Sequence, residues 1–213
     1  MKITWIGHSC FRLEEDGYSV VLDPYENGTV PGLTNMQEKA DAALCSHDHF
    51  DHNAAGNVTI VRSGEKPFKV TSLPTYHDEV KGAKRGNNLI HIIETERTKV
   101  VHLGDLGCDP EAEQKALIAG CDVLLIPVGG FYTIDAKQAA ELTKELKPRV
   151  AIPMHYRSDE AGFGFDKIGT VDPFVAAFTN VRISRESSID TDEPVSAEIV
   201  VLQPRNQASD FGK

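Results

Sequence analysis

No run in this 213-residue chain approaches the ~20 consecutive apolar residues that cross a bilayer as a helix. The opening segment, MKITWIGHSC, carries one Lys and then a mixed, strand-like pattern, without the apolar stretch of an export leader. The expectation is a cytoplasmic protein with no membrane partner. Cysteine is scarce. Cys10, Cys45, Cys108 and Cys121 are scattered with no Cys-x-x-Cys pair, so neither a disulfide framework nor a closed thiolate zinc site is expected. Positive charge is in deficit, with 22 Lys and Arg against 32 Asp and Glu and a formal net charge of −10. That balance argues against a broad nucleic-acid surface. It leaves room for a small anionic substrate drawn to a local positive site. Linker-like segments are also missing. The length suits a single domain over 1–213, with an internal boundary between halves, if any, near 96–99.

What the chain does contain is a series of apolar strands. KITWI, CFRLE and YSVVLDP alternate in the strand manner, and EEDG between the last two signals a hairpin. FKVTSLP, LIHIIE and KVVHLGD read as further strands. The second half adds helical patterns, DPEAEQKALIAG and TIDAKQAAELTKELKP, between the apolar strands DVLLIPVGG and RVAIPMHY. VDPFVAAF reads as one more helix, and VRISRE and SAEIVVLQP as closing strands. Alternating strands and helices imply an α/β fold with parallel pairing and helices covering the sheet.

Five of these strands end in a residue able to bind a metal: Asp23, the cluster SHDHFDH, His77, Asp105 and His155. The cluster places three histidines and two aspartates between His47 and His52. His47 and His49, two apart, point the same way from extended backbone, whereas Asp51 and His52 sit where the chain can turn. One short segment can then serve two neighbouring ions, with His77 and His155 completing one each and Asp105 between them. A single-ion site and a solvated polar loop are the competing readings. Imidazole and carboxylate donors suit Zn foremost, or Mn or Fe. His91 and His102, inside apolar strands, read as core histidines.

SHDHFDH, with Asp23, His77, Asp105 in HLGDLG and His155 in PMHY, resembles the metallo-β-lactamase superfamily in its full motif order. WIGHSCFRLE followed by VLDP further resembles the branch of ascorbate-6-phosphate lactonase and related metal-dependent hydrolases. The resemblance runs from Trp5 to about Tyr156 and implies a four-layer αββα sandwich with a dinuclear site at one edge. It assigns His47, His49 and His77 to the first ion, Asp51, His52 and His155 to the second, and Asp105 to both. Asp23 is expected behind them, ordering the cluster loop. Position 105 is Asp where the familiar lactamases have Cys, which argues against β-lactamase activity itself.

Two divalent ions bring +4, two carboxylates and a bridging hydroxide return −3, and the centre stays near +1. Such a site favours substrates that are anionic or become so in the transition state. The expected reaction is hydrolysis of a small, anionic ester, lactone or phosphodiester by that hydroxide. Asp51 is the expected proton relay, and His8, just past the first strand, reads either as proton donor to the leaving group or as a packed strand-end histidine. Lys84 and Arg85 in KGAKRG, and Arg157 beside His155, are candidates for holding the substrate's anionic group. PVGGFYT reads either as a pocket wall or as a plain strand-to-helix turn. The alternative functions are a metal-binding sensor or scaffold without turnover, and a nuclease or phosphodiesterase of the same superfamily.

Overall fold

The computed structural model describes residues 1–208. The first three strands form a meander: β1 Lys2–Gly7, β2 Cys10–Glu15 and β3 Tyr18–Leu22. Asp16 and Gly17, both at positive φ (49° and 79°), connect β2 to β3, as a two-residue hairpin turn requires. Two three-residue strands follow, β4 Glu38–Ala40 and β5 Ala42–Leu44. β5 pairs parallel to β3, so the cluster emerges beside the end of that strand. After the cluster the chain makes a turn and a short 3-10 segment, Ala55–Asn57, then β6 Val58–Ile60, which pairs with β4.

A second sheet follows. It contains β7 Lys69–Tyr76, β8 Asn87–Glu94, β9 Lys99–His102, β10 Val123–Pro127 and β11 Val150–Met154. Three helices belong to this half: α1 Ala112–Ile118, α2 Ala136–Leu146 and α3 Asp172–Val175. α2 is capped at Asp135, whose side chain accepts from the Gln138 amide, and it ends at Lys147 in the left-handed region just before Pro148. Its stripe of Ala139, Ala140, Leu142 and Leu146 is buried. Both β10 and β11 are buried along their whole length, as befits parallel strands covered on both faces. The chain closes with β12 Val181–Ile183, β13 Ser188–Asp190 and β14 Ile199–Val201.

The sheets run β13-β1-β2-β3-β5 and β12-β14-β11-β10-β9-β8-β7. One continuous buried cluster joins them, with Ile3, Trp5, Phe11 and Leu22 from the first and Ile90, Val101, Leu124 and Ile152 from the second. This is the β-sheet pair of the expected sandwich. Among the described residues, α-helix occurs only in segments attached to the second sheet. The expected boundary at 96–99 is instead a hairpin turn inside that sheet, where the Thr95 amide donates to the Thr98 carbonyl and β8 pairs with β9. The chain changes sheets between β6 and β7. No helix among the described residues is long and apolar enough to cross a membrane.

Strand direction brings the ligand candidates together. β1 and β3 are both antiparallel to β2, and β5 is parallel to β3. β7 and β9 are both antiparallel to β8, while β9, β10 and β11 are parallel. Within each sheet, then, the strands that end in candidate ligands all run one way. His8, Asp23 and the cluster leave the end of the first sheet, and His77, Asp105 and His155 leave the end of the second.

Candidate metal centre

His8, Asp23 and His155 each take positive φ (57°, 44° and 53°) directly after their strands. The left-handed region is costly for residues with a β-carbon, and here it turns three polar side chains abruptly at the sheet edge. Gly104, also at positive φ, sits where a β-carbon would lie 2.3 Å from Asn88 Oδ1. That close approach lets Asn88 accept from the Asp105 amide (3.0 Å) and donate to the Leu103 carbonyl (2.9 Å).

The side chains converge around Asp105. Its Oδ2 lies 3.1 Å from His155 Nε2, 3.2 Å from His52 Nε2 and 3.3 Å from His77 Nε2. Ligand atoms of His47, His49 and His77 lie within 4.8 Å of one another, as do those of Asp51, His52 and His155 with His8 added. Six of the seven expected metal ligands thus fall in two adjoining groups, and Asp105 groups with His47 and His52 across them. His8 Nε2 is 3.2 Å from Asp51 Oδ2, and its ring centroid is 4.2 Å from that of His155.

Asp23 lies behind the cluster and is fully buried. It accepts from the Ser46 amide and the Ser46 hydroxyl, both at 2.6 Å, and from His52 Nδ1 at 2.8 Å. Because the Ser46 proton goes to Asp23, Ser46 Oγ must accept from His47 Nδ1 (2.9 Å). One carboxylate therefore fixes the tautomer of two imidazoles, leaving both Nε2 lone pairs free to coordinate. His102 differs. Its Nε2 donates to the Ser9 carbonyl (2.9 Å) and its Nδ1 accepts from the Gly104 amide (3.1 Å), so both nitrogens are satisfied inside the core. His91 is likewise engaged, with Cys45 O and Ser72 Oγ.

The electrostatics suit a cation. Burial pushes the His47 pKa down to about 3 and that of His8 to about 4, so both rings are neutral at pH 7. Burial also pulls against ionisation of Asp105 and Asp51, yet the neighbouring imidazoles hold both carboxyls below the usual range. His52 is pushed upward despite its burial by the carboxylates of Asp105 and Asp51. His47 Nε2, His52 Nε2 and Asp105 Oδ1 are buried without a hydrogen-bond partner among the described residues. Unpartnered buried donors and acceptors are costly. Nitrogen and carboxylate ligands converging on one point make the residues fit divalent metal.

Beside these groups lies a cavity of about 250 Å³. His49, His77, Asp105 and His155 line it together with Phe50, Phe165, Arg85 and Tyr132. Of the three basic candidates, only Arg85 is brought there. Lys84 turns to Glu79, and Arg157 pairs with Asp159 and donates to the Ile168 carbonyl (2.8 Å) away from the cavity. The selector is Asp78, which sequence reasoning missed. Its carboxylate accepts from the amides of Val80, Gly82, Lys84 and Arg85 (2.7–2.9 Å) and so folds the loop after His77. Ser46 and Asn88 were missed as well. Ser46 adjoins the cluster, which is a usable signal, whereas Asn88 carries none. In PVGGFYT, Tyr132 forms part of the cavity wall.

Comparison with known proteins gives the family. A solved chain from Thermotoga maritima, described as a candidate Zn-dependent hydrolase of the metallo-β-lactamase superfamily, is 32% identical with a TM-score of 0.74, covering 94% of this chain and 97% of that one. A protein of Pyrobaculum neutrophilum named a metal-dependent hydrolase is 29% identical over 196 residues, 74% of this chain and 85% of its own. One of Carboxydothermus hydrogenoformans with the same name is 29% identical over 193 residues, 74% and 85% of the two chains. Residues 2–155 match the Beta-lactamase superfamily domain, and the chain belongs to that superfamily.

Proposed function

We propose that the chain is a metal-dependent hydrolase with two divalent ions, acting on a small anionic ester, lactone or phosphodiester. The observation that carries this reading is the position of Asp105 Oδ2, 3.1–3.3 Å from imidazoles of both ligand groups. His47, His49 and His77 would hold one ion, Asp51, His52 and His155 the other, with Asp105 serving both. When bound, such ions supply Lewis acidity toward a carbonyl or phosphoryl oxygen and make water nucleophilic at neutral pH.

The remaining work belongs to the chain. Asp51, its side chain 13% exposed and its carboxyl ionised, would accept a proton from the attacking water. Neutral His8 donates through Nε2 to Asp51 Oδ2 and fixes its orientation. Asp23 and Ser46 hold His52 and His47 in the coordinating tautomer. The cavity, of about 250 Å³, is small beside the roughly 300–1,000 Å³ of drug-sized pockets, which supports a small-molecule substrate.

Elemental analysis of the purified protein should give about two transition-metal ions per chain. Generic para-nitrophenyl esters or phosphodiesters should be hydrolysed, and a chelator should abolish that activity. Full activity of His49→Ala at matched metal content would refute the assignment.

A further inference from the structure

Among the described residues that line the metal-site cavity, Arg85 is the one Lys or Arg. Lys84, Arg97, Arg157 and Arg205 each pair with a carboxylate. Among the described residues, no carboxylate pairs with Arg85. Its guanidinium carbon lies 5.5 Å from the centre of the Tyr132 ring, inside the wall of the metal-site cavity. Its backbone amide is pinned by Asp78 Oδ2 at 2.7 Å. A guanidinium resting on an aromatic face keeps its five N–H donors for a ligand and is pre-organised to grip two oxygens at once.

The same cavity has an apolar side. Phe50, between the ligand candidates His49 and Asp51, is 50% exposed, and its ring centroid is 6.2 Å from that of Phe165, edge-on. Large exposed aromatics beside a polar centre are a surface that gains from being covered. Charge and apolar surface thus share one small cavity.

We propose, building on the hydrolase reading above, that the substrate is a short amphipathic ester or lactone with two handles. Arg85 binds its carboxylate or phosphate group, and Phe50 with Phe165 covers its apolar or aromatic portion. Arg85 is in this view the residue that sets specificity for an anion, and Tyr132 the platform that positions it.

The test is calorimetric binding of product-like probes to the metal-loaded protein, run beside hydrolysis of a matched ester pair. Phenylacetate and phenyl phosphate carry both handles, phenylacetamide lacks the charge, and acetate lacks the ring. Phenylacetate should bind more tightly than either phenylacetamide or acetate. Arg85→Met, with metal content unchanged, should weaken both anions by about tenfold or more and leave phenylacetamide unaltered. Tyr132→Leu should produce a smaller loss of the same kind, and Phe50→Ala should bring phenylacetate toward acetate. Tighter binding of phenyl phosphate than of phenylacetate assigns the handle to phosphate, and the reverse order assigns it to carboxylate. Unchanged phenylacetate affinity in Arg85→Met, or no binding of any probe, overturns the anion handle. An unchanged gap between phenylacetate and acetate in Phe50→Ala overturns the apolar one. Arg85-dependent binding without hydrolysis of para-nitrophenyl hydrogen glutarate or para-nitrophenyl pentanoate sinks the hydrolase reading and leaves the handle standing. Equal hydrolysis of both esters, unaltered in Arg85→Met, does the opposite.

Discussion

Replacing one oxygen of Asp23 by an amide, as Asp23→Asn, should disable both ligand groups although Asp23 belongs to neither. In the native arrangement the Asp23 carboxylate only accepts: from the Ser46 amide, the Ser46 hydroxyl and His52 Nδ1. An Asn that keeps its oxygen on the Ser46 amide must present its NH2 to the other two. His52 Nδ1 then has to accept, which puts the ring proton on Nε2, where coordination requires a lone pair. Ser46 Oγ, now an acceptor from Asn, turns its own proton toward His47 Nδ1, and His47 suffers the same reversal. Groups that orient a metal-ligating histidine are worth roughly 10–100-fold in metal affinity, so each ion should bind more weakly by about that factor. The hydrogen bonds to Ser46 Oγ and His52 also lose their charge. At about 1.5–3 kcal/mol for each charge-assisted bond the upper bound is near 6 kcal/mol, a fall in Tm of at most about 12–24 °C for a chain of this size. The assays are metal titration, thermal melting, and nitrogen NMR of the histidine rings, which reads the tautomer directly. Ser46→Ala is the control: it cuts only the branch to His47 and should weaken mainly the group of His47, His49 and His77. Wild-type affinity for two ions in Asp23→Asn, with His52 still protonated on Nδ1, would defeat this reasoning.

Substitutions at two other positions probe separate parts of the site. His8→Ala, which removes the donor that orients Asp51, should lower kcat by roughly 10²-fold with metal content preserved, and His8→Gln, which keeps an N–H at that place, should restore part of it; loss of one ion instead would make His8 a ligand. Asp78→Ala should open the loop that carries Arg85, seen as faster tryptic cleavage after Lys81, Lys84 or Arg85. The acidity of Asp78 gives the same loop a pH signature. Although burial opposes it, the backbone amides of Arg85 and its neighbours lower the carboxyl to about 2 from an ordinary 3.8. Its contribution is therefore complete above about pH 4 and lost as pH falls toward 2, and loop protection should follow that course.

The site was legible in the sequence because chemistry and pattern coincide there. His77, Asp105 and His155 each follow a run of apolar residues long enough to identify as a strand, and a polar residue at such a point has few places to go but the sheet edge. The EEDG hairpin and the alternation of strands with helices in the second half gave some of the strand directions, and the meeting of the two sheets' ends came from the structure. Much of the rest depends on long-range pairing. β13 has three residues, one of them buried, and exists because it lies against β1, far away in the chain. β4 and β6 pair across the cluster loop, and neither is long enough to show a period. The basic candidates were indistinguishable by type: whether Lys84, Arg85 or Arg157 faces the cavity depends on how Asp78 folds four amides and on where Glu79 and Asp159 stand. The turn at 96–99 misled because a charged tight turn inside a sheet looks like a break between halves.

The shared direction of β1, β3, β5, β7, β9 and β11 has a consequence for how freely this molecule can vary. Everything reactive is delivered to one pole, and the connections that begin those strands lie at the other. The Asp16–Gly17 hairpin, the turn before Lys99 and the short link from Lys147 to Val150 are such places. Lengthening or tagging the protein at the Asp16–Gly17 hairpin should therefore leave the ligand geometry alone, so the fold offers a handle at one end and a reactor at the other.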